Sequence, residues 1–180
     1  MADLLQIIEN LVTMLPAFRG LLSAVFWLTG VLFIISALRS AMRRSEMGPS
    51  QGTWMVPLAK FITGAAFIAF PSTVGAFLAS FWGSPTAASP DAIFALAPSM
   101  TAAMDEGNGR IILTSITMIV QFVGLIGFAR GLYLMNASAS GTGQAKTFGP
   151  GLTFLIASTL AVNFPMFIGA IELLVTPPSA

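Results

Sequence analysis

One arrangement occurs twice in this chain: an apolar stretch, a short basic loop, and a second apolar stretch that contains a proline. The first copy covers residues 26–77 and the second covers residues 120–171, so Pro165 stands 94 positions after Pro71 (165 minus 71). The densest agreement is between FPSTVGA at 70–76 and FPMFIGA at 164–170. Because stretches, loop and proline all recur at one offset, the sequence predicts a duplicated helical hairpin.

The chain carries too few charges to be covered by water on all sides. Only 8% of its residues are charged and 56% are hydrophobic, whereas a soluble domain carries roughly 25% charged residues. Lipid must therefore be the solvent for much of the surface. We predict an all-α membrane protein with four transmembrane helices, arranged as two tandem hairpins in a parallel internal repeat, plus a short N-terminal amphipathic helix.

We expect a single membrane domain over residues 1–180. Along the chain it comprises an amphipathic helix in 1–17 that ends near Pro16, hairpin repeat 1 in 18–82, a long loop in 83–110 with a short helix from Asp91, and hairpin repeat 2 in 111–175. The four spans are expected at 21–38, 57–82, 111–129 and 152–173. Each in-span proline frees a backbone carbonyl, which a neighbouring helix or a hydroxyl such as that of Ser72 or Thr73 must then bond.

Charge placement predicts how the hairpins are oriented. Most basic residues lie at the two short loops, where Glu46 is the only acid: Arg39, Arg43, Arg44, Lys60, Arg130 and Lys146. By the positive-inside rule both short loops are cytoplasmic, and both termini and the long loop lie outside. At the least these cations fix the topology. The sharper hypothesis is that they also bind anionic lipid phosphates.

The chain contains few residues of the types that usually carry out catalysis. The chain contains no histidine and no cysteine, which removes imidazole bases, thiolate nucleophiles and the usual zinc ligands. Asp105 and Glu106 are interpreted as solvated loop residues, and GTGQAKT lacks the spacing of a phosphate-binding loop. We therefore expect no enzyme, no metal and no cofactor, although a phospholipid could be bound. Gln121 and Asn163, inside apolar stretches, are interpreted as interhelical hydrogen-bonding residues.

Small residues and prolines mark the predicted helix-packing positions, because small side chains let helix backbones approach closely in lipid. The faces they form could pack within one bundle or against neighbouring copies, and we expect some contacts of the second kind. The predicted packing residues are Gly64, Pro71, Gly75, Gly124, Gly127, Gly131, Asn163, Pro165 and Gly169.

A basic loop between two apolar helices, here with FVGLIGFARGLYLM (122–135) and GPGLTFLIASTLAVNFPMFIGA (149–170), resembles the conjugative pilins of type IV secretion systems. The doubled form resembles the IcmC/DotE-like and TraQ-like small membrane proteins of type IVB systems. The resemblance implies a structural subunit of the bacterial inner membrane with both termini periplasmic. It could polymerise into a pilus or channel wall, and would then be extracellular.

The same resemblance implies the partners: further copies of the chain, other membrane proteins of the apparatus, and anionic phospholipid at the basic loops. Nucleic acid would be involved only indirectly, as cargo. The alternative is a small membrane transporter or pore with its site at the Pro71 and Pro165 bends, between the repeats.

Overall fold

The computed structural model describes residues 4–47, 54–82, 108–139 and 147–164, and these are helical with no strand among them. The all-α class is therefore confirmed. The helices are α1 (Leu4–Met47), α2 (Met55–Ile68), α3 (Phe70–Trp82), α4 (Asn108–Ala139) and α5 (Phe148–Val162). The expected helix from Asp91 lies outside the described residues, as do Lys146, Pro165 and Gly169.

Two helical segments are long and apolar enough to cross a bilayer, Gly20–Glu46 in α1 and Ile112–Ala139 in α4. The bent pair α2 and α3 makes a third candidate if it is counted as one span. Within the described residues α5 has 15 residues, fewer than the roughly 20 that a transmembrane helix needs. Two to three candidate spans are consistent with a membrane protein.

The expectation of a separate N-terminal helix is wrong. α1 runs without a break from Leu4 to Met47, through Pro16, over 44 residues. A proline removes one backbone donor and often kinks or ends a helix, but its effect depends on the surrounding structure. At 44 residues α1 is about 66 Å long at 1.5 Å per residue, so about 24 Å of it precedes the candidate span that begins at Gly20.

The expected second span over residues 57–82, with its bend at Pro71, corresponds to two helices. The helix ends at Ile68 and resumes at Phe70, and the two parts are bent by 96°. Pro71 has no N–H to donate to the carbonyl of Phe67, and it disfavours helical backbone in the residue before it. α2 and α3 have 14 and 13 residues, about 20 Å each, so neither alone crosses about 30 Å of hydrocarbon.

Each hairpin consists of two antiparallel helices in close contact, α1 with α2 and α4 with α5. The two long helices, α1 and α4, run parallel, because the ring contacts between them occur in the same order along both helices. Phe18 contacts Phe122 with ring centroids 6.5 Å apart, and further along both helices Phe33 contacts Tyr133 at 6.3 Å. The hairpins therefore point the same way.

The core between the hairpins is apolar and aromatic. α3 contacts α4 through aromatic rings: Phe70 and Phe77 place their rings 5.7 and 5.1 Å from that of Phe128 in edge-on contacts. The buried members of this core are Phe26, Phe67, Phe70, Val74, Leu78, Leu125, Phe128, Ala129, Leu155 and Val162. α4 packs against α1 and α2, whereas α5 makes hardly any contact with either of them.

Candidate functional site

The basic residues of the first hairpin lie in the last turns of α1 and the first turns of α2. Arg39 and Arg43 are exposed, and Arg44 is half-buried. Cations near the C-terminus of a helix are stabilised by the partial negative charge of the unpaired carbonyls there. Three guanidinium groups within six residues therefore form a strongly positive end on this hairpin.

Two further cations are anchored against the opposite helix of their own hairpin. The Lys60 ammonium of α2 donates to the Ser40 hydroxyl of α1 at 3.0 Å. The Arg130 guanidinium of α4 lies over the Phe154 ring of α5, 5.5 Å from its centroid, in a cation–π contact. With the offset of 94, Arg130 corresponds to Ser36 of the first hairpin, and Phe154 corresponds to Lys60. The two cations therefore lie at the same level of their hairpins, Lys60 on the second helix and Arg130 on the first.

The cations of both hairpins lie at one end of the molecule, because α1 and α4 run parallel and the short connections follow their C-termini. Sequence reasoning selected Arg39, Arg43, Arg44, Lys60 and Arg130 together, and the fold brings them to this end. Among the described residues, Nη1 of Arg44 is buried and has no hydrogen-bond partner. A buried guanidinium N–H without an acceptor costs free energy, so this atom favours an added acceptor.

At the opposite end of α2, the break is bridged by a hydroxyl. Thr73 Oγ1 lies 3.2 Å from the carbonyl oxygen of Ala66, before the break, and 3.0 Å from that of Ala69, within it. The Ala69 N–H still donates to the Ala65 carbonyl at 2.9 Å. The carbonyl that Pro71 leaves without a backbone donor is that of Phe67, so the Thr73 hydroxyl bonds carbonyls on both sides of the break but does not test the expectation for the freed one.

α5 ends at Val162, and Asn163 is its C-cap, 94 positions after Ala69. Here a carbonyl at the helix end accepts a bond from the neighbouring helix. The Gln121 amide of α4 is fully buried and donates to the Val162 carbonyl at 3.0 Å. The sequence predicted an interhelical role for Gln121 but not its partner. Asn163 is buried at the helix end.

Glycines set the spacing of both hairpins, and one of them was missed. A Cβ on Gly30 would lie 2.8 Å from both the Gly64 carbonyl oxygen and the Ile68 nitrogen. Sequence reasoning named Gly64 as a packing position and matched Gly30 with Gly124 in the repeat, but it did not name Gly30 as a packing position. A Cβ on Gly124 would lie 3.1 Å from the Val162 nitrogen.

The remaining predicted packing glycines of α4 also face α5. A Cβ on Gly127 would approach the Ser158 hydroxyl to 2.5 Å, and one on Gly131 would approach Leu155 Cγ to 2.8 Å. Gly75 is buried in α3, and Pro71 is half-buried beside it. The close glycines of α1, α2 and α4 thus face the partner helix of their own hairpin. This is packing within one bundle, the first of the two possibilities that the sequence left open.

No protein-family model matches this chain, and neither a curated protein nor a solved structure is detectably similar to it.

Proposed function

We propose that this chain is a structural subunit of a type IVB secretion or conjugation apparatus in the bacterial inner membrane, built from two copies of one helical hairpin. The observation that carries the proposal is the recurrence of one helix-pair register. Gly30 lies against Ile68, and Gly124 lies against Val162. Both partners of the second pair are shifted by 94 residues from the first, which is what an internal duplication requires.

The positions of the helix ends support the same duplication. The caps at Ala69 and Asn163 are separated by the same 94 residues, and each precedes a proline by two positions. The parallel course of α1 and α4 supports two hairpins inserted the same way up. In the proposed arrangement the chain crosses the membrane four times, with the bent pair α2–α3 and the segment that begins with α5 as the two returns.

The grouping of the cations at one end of the molecule supports a cytoplasmic position for the short connections, with both termini periplasmic. They also support binding of anionic phospholipid at this end. Lys60 and Arg130 have long apolar stems that can lie along a helix while their charged heads reach the headgroup region.

A non-catalytic, structural role is better supported than the alternative of a transporter or pore. A solute site at the helix breaks would need polar groups that are available to a solute. The fully buried Thr117 and Thr159 hydroxyls instead donate to carbonyls of their own helices, at 2.8 and 2.6 Å. The Gln121 amide donates to a backbone carbonyl, and Phe67 and Phe70 on either side of the α2–α3 break are buried in the aromatic core.

Deletion of the gene in its host, followed by measurement of conjugative or effector transfer, tests the proposed role. We expect transfer to be lost and to be restored by the wild-type chain. Purified chain in vesicles should show no solute flux, and Gln121→Ala should leave that baseline unchanged. Normal transfer after deletion, or a flux that Gln121→Ala reduces, would refute the structural role.

A further inference from the structure

The contact between the two hairpins is asymmetric. α4 packs against both α1 and α2, but α1 makes hardly any contact with α5. A two-fold axis relating the hairpins would require α1 to pack on α5 as α4 packs on α2. The contact is therefore heterologous, since it joins two different faces of the same structural unit. Heterologous contacts leave one copy of each face unused at the two ends of an array.

The first unused face lies on α1. Met118, Phe122, Ala129 and Leu132 of α4 contribute to the core shared with the first hairpin. Shifted back by 94 positions, they become a stripe on α1 that we call the α1 stripe: Ala24, Leu28, Ile35 and Leu38. All four are exposed, Leu28 by 57% and Leu38 by 52%. A shallow groove at Gly20, Leu21, Ala24 and Leu28 forms part of this stripe.

The second unused face lies on α4, on the side turned away from the first hairpin. Phe18, Leu22 and Phe26 are the residues by which α1 meets α4 and the shared core. Shifted forward by 94 positions they become Ile112, Ile116 and Val120, which we call the α4 stripe. Ile116 is nine residues before the buried Leu125, so it points to the opposite side of the helix. It is 43% exposed, and Ile112 and Val120 are half-buried.

We propose that a second copy of this chain docks its α1 stripe on the α4 stripe of the first, repeating the contact that joins the hairpins within one chain. This inference depends on the internal duplication in the proposed function, and it identifies the partner of the subunit. Apolar exposure alone would be satisfied by lipid. The second copy is selected because the same packing already occurs once in each chain. Because each chain carries both stripes, the contact generates a ring or a filament.

Cysteine crosslinking tests the docking directly, because the chain has no cysteine of its own. The contact between Phe18 and Phe122 translates into one between Ile112 of one copy and Leu28 of the next. Full-length Leu28→Cys and Ile112→Cys chains with different tags would be reconstituted together in phosphatidylethanolamine–phosphatidylglycerol vesicles and treated with a short bifunctional thiol reagent. We expect a mixed dimer, and a ladder of higher products when one chain carries both substitutions.

Leu38→Cys is the matched control, since Leu38 lies on the same stripe and is 52% exposed, but it is ten residues, about 15 Å, along α1 from Leu28. We expect its yield with Ile112→Cys to be at least about fivefold lower. A Phe18→Cys/Phe122→Cys chain, linked internally and detected by intact mass, shows that the fold and the reagent are sound. The docking is wrong if that chain is linked while Leu28→Cys and Ile112→Cys give no mixed dimer. It is equally wrong if the doubly substituted chain stops at a dimer.

These results separate the docking from the proposed function. A ladder in vesicles together with normal transfer after gene deletion would retain the docking and reject the secretion role. Loss of transfer after deletion, together with no ladder in vesicles, would retain the secretion role and reject the docking.

Discussion

The close approach of α1 and α2 at Gly30 yields a stability prediction with a worked magnitude. A Cβ at this position would lie 2.7 Å from Ile68 Cγ1 and 2.8 Å from two backbone atoms of α2, whereas carbon contacts are comfortable at about 3.5–4.0 Å. Because two of the three atoms are backbone, a side-chain rotation cannot relieve the overlap. The helices of Gly30→Ala must separate by several tenths of an ångström or more.

Overpacking of this kind costs about 1–3 kcal/mol, while replacing a helical glycine by alanine gains about 0.5–1 kcal/mol. Gly20→Ala is the matched control, because Gly20 is on the same helix and a Cβ there meets nothing within 4 Å. Gly30→Ala should therefore be less stable than Gly20→Ala by about 1–3 kcal/mol, roughly 5- to 150-fold in the unfolding equilibrium. Gly124→Ala should fall between them, since its nearest contacts would be 3.0–3.1 Å.

The assay is unfolding in mixed micelles, in which sodium dodecyl sulfate is titrated into a mild detergent and tryptophan fluorescence reports the transition. Equal stability of Gly30→Ala and Gly20→Ala would refute the close helix contact. It would also remove the register on which the duplication is argued.

Three further predictions concern the helix break and the basic end. Gln121→Met keeps the side-chain length but loses the bond to the Val162 carbonyl, and should lower stability by about 0.6–1.7 kcal/mol in the same titration. Replacing Arg43 and Arg44 together by Glu should reduce co-purifying anionic phospholipid and assembly more than replacing both by Gln; equal effects would contradict the electrostatic account. Pro71→Ala restores a backbone donor and should reduce the 96° bend, which distances between spin labels on α2 and α3 would detect as a lengthening.

Hydropathy was sufficient to predict the helical class and the two long apolar segments, because a bilayer requires helices of that length and composition. It did not predict how each proline would act. Pro16 lies within a continuous helix, and Pro71 follows a break of 96°. Both residues remove one donor, so the difference comes from their surroundings. At the Pro71 break, Phe70 is buried against Phe128 and Thr73 bonds two carbonyls, which favours the bent form.

The distribution of charges along the sequence predicted that the cations of the candidate site lie at one end of the molecule. It did not predict which side chains they contact. Ser40 and Lys60 are 20 residues apart, and their pairing depends on the helix register, which the two close glycines set. The missed residue, Gly30, did carry a usable signal. Its equivalent Gly124 was named as a packing position, so the offset of 94 alone would have added Gly30 to the candidates.

The helix breaks divide the molecule into two layers that differ in how closely their helices are packed. On the side of the basic end, each long helix has its return helix alongside, and the glycine contacts pack the pair. Beyond the break α2 has ended, whereas α1 extends for a further distance of about 15 Å between Gly30 and Gly20. There α3 contacts α4 and does not continue alongside α1 as α2 does. The groove at Ala24 and Leu28 lies in this second layer. The basic end is thus closely packed within one chain, and a neighbouring copy would add the most packing beyond the breaks.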